Sequence, residues 1–224
     1  MSVNAVAAKP YKGMGMEGSV ARWYAKLTGK GMAEFTALAK RVAAELPPGS
    51  SVLEVAPGPG YFAIELARLG DYRIAGLDIS ETFVEIARAN AAKAGVRADF
   101  RLGNASHMPF EAETFDFIFC RAAFKNFTEP QQALEEMYRV LKPQGKGLII
   151  DLRRDASKES VRQGVDDMQL DLVNSIITKL TFRFMLLKRA YTKSEFEQLL
   201  NQANIRDRRI EVKPMGLELT FTKT

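Results

Sequence analysis

Apolar residues recur at helical spacing in the segment "MAEFTALAKRVAAEL". Met32, Phe35, Leu38, Ala39, Val42 and Leu46 line one face of a helix, which Pro47, Pro48 and Gly49 stop. Beyond that stop, strand-like and helix-like patterns alternate. "SVLEVA" predicts a strand and "YFAIELARLG" a helix that ends near Gly70. "YRIAGLDI" predicts a second strand, after which Ser80 caps the helix "ETFVEIARANAAKAG". "ADFRLG" is a short strand, and "TFDFIFC" is apolar enough to be buried on both faces. Pro130 opens the helix "QQALEEMYRVL", "KPQG" ends it, and "KGLIID" is a fifth strand. Such alternation predicts a parallel sheet covered by helices on both faces.

The rhythm then changes twice. In residues 152–190, Val165, Met168, Leu172, Ile176, Leu180, Phe184 and Leu187 fall at steps of three and four, widened by Val173 and Ile177. Coming after the fifth strand, near the carboxyl ends where open α/β sheets bind ligands, this stretch predicts a helical lid. Thr192 and Glu195 then form a capping box for "KSEFEQLLNQA". "RRIEVKP", a turn at Met215–Gly216 and "LELTFTK" predict an antiparallel hairpin, with Leu217, Leu219 and Phe221 alternating against Glu218, Thr220 and Thr222.

Composition narrows the class. The 224 residues suffice for one well-filled α/β domain, and 46% hydrophobic with 26% charged residues is ordinary for a globular chain. We expect one unit over 1–224: an N-terminal arm and helices (1–48, with 1–18 mobile), a cofactor-binding core (49–151), the lid (152–190), and a closing helix and hairpin (191–224). No leader or membrane span is read in the sequence, and a single cysteine suits a reducing cytoplasm. The net charge of +5 resides in the flanks, since residues 51–150 hold eleven basic against thirteen acidic side chains. Lacking a basic run interleaved with aromatics, the chain is not expected to bind nucleic acid.

The chemistry is concentrated in "SVLEVAPGPGYF". Gly58, Gly60 and Ala63 satisfy the G-x-G-x-x-[GA] spacing of a dinucleotide loop, with Asp78 twenty residues beyond Gly58. Three details oppose a pyrophosphate. Glu54 places a carboxylate at the end of the strand, where an anion would be repelled. Pro57 and Pro59 remove two of the N–H donors that a phosphate cradle needs. Asp78 offers two oxygens to the hydroxyls of a ribose.

Together these motifs resemble the class I S-adenosylmethionine-dependent methyltransferases, in particular their small-molecule branch. "LEVAPGPG" is similar to that family's E-x-G-x-G-x-G loop, and "GLDIS" to its ribose-binding strand end. "GNASHMPF" is similar to its adenine segment, and "FDFIFCRAAFKNF" and "EMYRVLKPQGKGLIID" to its fourth and fifth strands. The resemblance implies a Rossmann-like, doubly wound α/β fold. Its sheet would be mostly parallel, seven-stranded, and closed by the C-terminal antiparallel hairpin. It also implies S-adenosyl-L-methionine as cofactor and a small, partly apolar methyl acceptor, with the chain a monomer or homodimer. It assigns cofactor contacts to Glu54, Ala56, Gly58, Gly60, Tyr61, Asp78, Ile79, Asn104, Ala105 and Arg121. Trp23, Tyr24, Phe124 and Lys125 are assigned to the acceptor side. No metal is implied. An RNA methyltransferase, a nicotinamide-dependent oxidoreductase and a cofactor-binding domain without catalysis are the alternatives.

Two departures stand out. Ala56 replaces the loop's first glycine, which is tolerable if its φ stays negative, as the following Pro57 favours. Asn104 replaces an aspartate near adenine, keeping a carbonyl acceptor. The histidines that face the acceptor in related enzymes are absent, so no general base is assigned. Cys120 reads as core and His107, the only histidine, as surface or adenine-side packing.

Overall fold

The computed structural model describes residues 11–13, 15–166 and 186–224. The strands are β1 (Ser51–Val55), β2 (Arg73–Asp78), β3 (Asp99–Leu102), β4 (Phe115–Arg121), β5 (Leu141–Leu152), β6 (Arg208–Val212) and β7 (Gly216–Thr222). They form one seven-stranded sheet in the order β3-β2-β1-β4-β5-β7-β6. The first five strands are parallel, and β7 runs antiparallel to both β5 and β6. The expected fold class is therefore present. Strand order reverses beside β1, so the carboxyl ends of β1 and β4 flank the switch point where such sheets bind ligands.

The helices are α1 (Gly18–Thr28), α2 (Met32–Ala43), α3 (Tyr61–Ala67), α4 (Glu81–Ala94), α5 (Pro130–Val140), α6 (Lys158–Asp166) and α7 (Lys193–Gln202). One core lies between α2, α3, α4 and the sheet, with Ala39, Val42, Phe62, Leu66, Ala87, Phe100 and Phe119 buried in it. The other lies under α5 and α7, built on Leu134, Met137, Phe196, Leu200, Leu219 and Phe221. The local signals act as expected. The Ser80 hydroxyl accepts the Phe83 N–H, and Thr192 and Glu195 cap α7 reciprocally.

Two expectations need correction. "KPQG" does not separate helix from strand, because β5 already begins at Leu141; Gln144 turns through φ +65° within the same element. The arm is not mobile throughout. Residues 11–13 and 15–18 are tied down, with the Lys12 N–H on the Asn126 carbonyl at 2.6 Å and Glu17 on the start of α4. Of the lid, Val161 and Val165 in α6 are buried, as is Leu187. Met168, Leu172, Val173, Ile176, Ile177, Leu180 and Phe184 lie outside the described residues.

Gly147 on β5 sits against the ring of Phe221, so a Cβ there would collide with a buried aromatic. Gly147→Ala is expected to cost about 1–3 kcal/mol of stability, read by denaturant melts, without altering ligand binding at the opposite end of β1.

Candidate functional site

At the carboxyl end of β1 the chain turns through three left-handed residues. Ala56 has φ +56°, Gly58 +54° and Gly60 +77°. Ala56 therefore does not keep a negative φ. Its N–H extends the ladder by one more bond, to the Leu77 carbonyl at 2.8 Å, and the chain can leave the sheet there only by turning left-handed. The steric push from Pro57 loses to that ladder bond, and an L-residue is held in an unfavourable well at about 1–2 kcal/mol. Gly60 is required in turn, since a Cβ would meet the Phe100 ring at 2.8 Å and the Ala87 methyl at 3.0 Å. Gly58 is buried, yet open space lies where its Cβ would stand.

Every N–H within the loop is spent internally. The Ala56 N–H goes to Leu77 and the Gly60 N–H to the Pro57 carbonyl, while Pro57 and Pro59 have none. The Gly58 N–H donates to the Asp78 carboxylate at 2.9 Å. Glu54 lies beneath the start of α3 and accepts the Ala63 N–H at 3.1 Å. The protein's own carboxyl group thus takes one N–H of the helix end that would hold a phosphate, and between Ala56 and Gly60 no donor remains to cradle one.

Both acids are buried. Burial pushes the Glu54 carboxyl up to about 8, with the Ala63 N–H and the Arg121 cation pulling it down and Asp78 adding to the rise. Burial likewise lifts Asp78 to about 6, against the N–H groups of Ser80, Gly58 and Ile79. Glu17 adds to that rise from the far side. Its carboxylate accepts the Glu81 and Thr82 N–H groups, each at 3.1 Å, and so caps α4 from the N-terminal arm. The Ser80 hydroxyl donates to the Met16 carbonyl at 2.6 Å. Residues 16–18 consequently lie over the Asp78 corner, a contact without any local sequence signal.

The other expected residues are placed as follows. Ile79, half-buried, follows Asp78. Asn104 uses its side-chain oxygen within a turn, accepting the Ser106 N–H at 3.0 Å, beside half-buried Ala105. The Tyr61 hydroxyl binds the Ala25 carbonyl at 2.8 Å and ties α3 to α1. Arg121, at the end of β4, pairs with Glu34 and lies over the Phe35 ring at 4.9 Å. Cys120 is fully buried, its thiol pushed well up by that burial, and His107 is exposed.

On the acceptor side the structure corrects two placements. Phe124 is fully buried, stacked on Phe196 at 5.0 Å, and so belongs to the core wall. The Lys125 side chain is 3% exposed and its ammonium binds Asp151 at 2.9 Å, which removes it from any open face. Asp151 also accepts the N–H groups of Lys125 and Leu152. It was missed in the sequence, although an acid ending the apolar run "KGLII" was the available signal. Trp23 is 64% exposed, whereas Tyr24 is half-buried, its ring edge-on to Phe83 at 5.9 Å.

Residues 53–149 match the family described as "Methyltransferase domain". A demethylmenaquinone methyltransferase of Deinococcus radiodurans is 36% identical over 107 residues, 47% of this chain and 44% of that one. The chain thus spans less than half the length of this curated relative. A putative S-adenosyl-L-methionine-dependent methyltransferase of Methanococcus maripaludis superposes with a TM-score of 0.79 at 22% identity, over 95% of this chain and 96% of that one. The [4+2]-cyclase SpnF shares the fold at a TM-score of 0.56 and 21% identity, over 84% of this chain and 80% of that one. The fold alone therefore does not fix the reaction.

Ala56→Gly should raise stability by about 1 kcal/mol by removing the left-handed penalty, as measured by chemical denaturation. Glu54 binds its proton more tightly folded than unfolded, so stability falls as pH rises from the ordinary 4.5 towards about 8. Glu54→Gln should flatten that slope; an unchanged pH profile of melting temperature would refute the assignment.

Proposed function

We propose that this chain, whose residues 53–149 belong to the methyltransferase domain family on the class I S-adenosylmethionine-dependent fold, moves a methyl group from S-adenosyl-L-methionine to a small-molecule acceptor. The observation that carries the reading is the buried acid at the head of α3. A nicotinamide dinucleotide needs free donors at that point, whereas a nucleoside bearing an ammonium and a sulfonium needs a carboxylate.

The residues present fit that group. The open space beside buried Gly58 admits a ligand to the backbone, next to the Asp78 oxygens. Glu54 would stand by the methionine end. The backbone at Ala56, Gly58 and Gly60, with Tyr61, would form the floor. Asp78 would take the ribose hydroxyls, Ile79 would pack on adenine, and Asn104 with the Ala105 N–H would read its edge. Arg121 would neutralise part of the acidic charge. The bound group supplies a methyl on an excellent leaving group, so alignment can provide much of the acceleration. Glu54 does not act as a base in this scheme; it holds charge.

The relatives' quinone acceptors are not carried over, because the family match ends at residue 149, before the segment 152–190. A small molecule is favoured over RNA by the excess of acidic residues around the loop. Among the described residues no helix is long and apolar enough to cross a membrane. The lone, buried Cys120 is compatible with the reducing cytoplasm in which we place the chain.

Calorimetry with S-adenosylhomocysteine should give saturable heat, and a reduced nicotinamide dinucleotide none; the reverse pattern would remove the proposal. In the free chain Glu54 is protonated at neutral pH, and a neighbouring cation ionises it. Binding should therefore release a proton below about pH 8 and tighten as pH rises to that value. Heats compared in buffers of different ionisation enthalpy read this directly, and the release should vanish in Glu54→Gln.

A further inference from the structure

The chain around the carboxyl ends of β4 and β5 is rich in cations, and most of them have an acid of their own. Lys125 binds Asp151, Arg153 lies beside Asp155, Arg154 pairs with Glu195, and Arg121 pairs with Glu34. Lys12 and Arg189 differ. Both are half-buried, and among the described residues neither has a carboxylate partner.

These two come together from opposite ends of the chain. Tyr11 bridges Phe127 and the Lys12 N–H reaches the Asn126 carbonyl at 2.6 Å, which seats the arm on the turn after β4. Arg153, just past β5, bridges Tyr191, which seats the residues ahead of α7 on that strand's exit. The Lys12 ammonium then donates to the Tyr191 hydroxyl at 3.0 Å, and stands 5.2 Å from the centre of that ring. The Arg189 guanidinium reaches the Lys12 carbonyl at 3.4 Å. Gly13, at φ +106°, permits that approach, because a Cβ on it would collide with the same guanidinium.

Two half-buried cations at one place lose hydration, and no described carboxylate offsets the loss. Their donors are mostly unspent. Among the described residues the ammonium uses one side-chain N–H and the guanidinium one, while the Tyr191 hydroxyl accepts from Lys12 and keeps its own proton to give. An ammonium, a planar guanidinium and a phenol form a donor set suited to an oxyanion. On the proposed function the nucleoside takes the side of β1 and β2, where Glu54 and Asp78 stand, and the side of β4 and β5 is left to the acceptor.

Resting on the methyltransferase reading, we propose that Lys12 and Arg189, together with the Tyr191 hydroxyl, bind an oxyanion carried by the methyl acceptor. The acceptor class is accordingly a small acid, with a carboxylate or phosphate set apart from the atom that receives the methyl group. The anion supplies the missing counter-charge and orients the acceptor; it takes no part in the transfer itself.

Sodium benzoate and sodium phosphate probe the two kinds of oxyanion. Each is titrated calorimetrically into the chain saturated with S-adenosylhomocysteine, at an ionic strength held constant with sodium chloride. Saturation seats the methionine carboxylate beforehand, so the heat reports a second anion. At least one probe should bind saturably, and the tighter one identifies the charged group of the acceptor. Lys12→Gln and Arg189→Gln should each weaken it by about 5–20-fold, and leave S-adenosylhomocysteine affinity and the melting temperature in chloride unchanged. Lys193→Gln, which removes an exposed cation already paired with Glu197, should change neither probe. Absence of saturable binding by both probes overturns the proposal, as does binding that survives both substitutions. Loss of S-adenosylhomocysteine in the same variants would assign the pair to the methionine carboxylate, and overturns it as well. A wild-type chain that does not bind S-adenosylhomocysteine overturns the methyltransferase reading itself, a failure visible before either probe is added.

Discussion

Two carboxyl groups, on neighbouring strands of one sheet, hold the loop that follows β1. Asp78 takes the Gly58 N–H and Glu54 takes the Ala63 N–H, so the turn and the first coil of α3 are fixed by side chains. Hydrogen bonds to charged acceptors contribute roughly 1.5–3 kcal/mol each, but burial opposes the charge that makes them strong. The raised Glu54 is the outcome of that competition. Under the proposed function, a cation brought alongside would shift the balance, and the same acid that braces the free loop would become its ligand.

The exits of β1 and β4, on either side of the switch point, are built alike. The Ala56 N–H reaches the Leu77 carbonyl and the Ala122 N–H reaches the Ile150 carbonyl, both at 2.8 Å, and each alanine then turns with φ near +56° or +57°. Each strand extends its ladder by one bond and leaves the sheet abruptly through a left-handed residue. An abrupt exit keeps the floor between the two strands clear. Strain gathered where a ligand docks is a recurring feature of functional sites.

The buried Lys125–Asp151 pair fastens the turn after β4 to β5. Buried ion pairs seldom add net stability over well-packed apolar residues. Their value is directional: Asp151 accepts three donors and leaves the turn a single geometry. This arrangement explains why the segment "RAAFKNF" offers no lysine to the open face.

Most of the architecture was legible along the chain. Hydrophobic period, proline and glycine stops, the Ser80 cap and the Thr192–Glu195 box are local, and local rules fix them. The loop that Glu54, Gly58, Gly60 and Asp78 build was legible for the same reason, since one turn and the next strand end carry all four. The φ of Ala56 was misread because a ladder bond to β2, invisible in sequence, outweighs the local preference set by Pro57. Phe124 and Lys125 were misplaced because burial depends on α7 and β5, distant in the chain. Glu17 on α4, and the Tyr24 ring against Phe83 of α4, are contacts between elements distant in the chain. Only the closing of the fold could decide them, because the partners are chosen by packing and not by spacing.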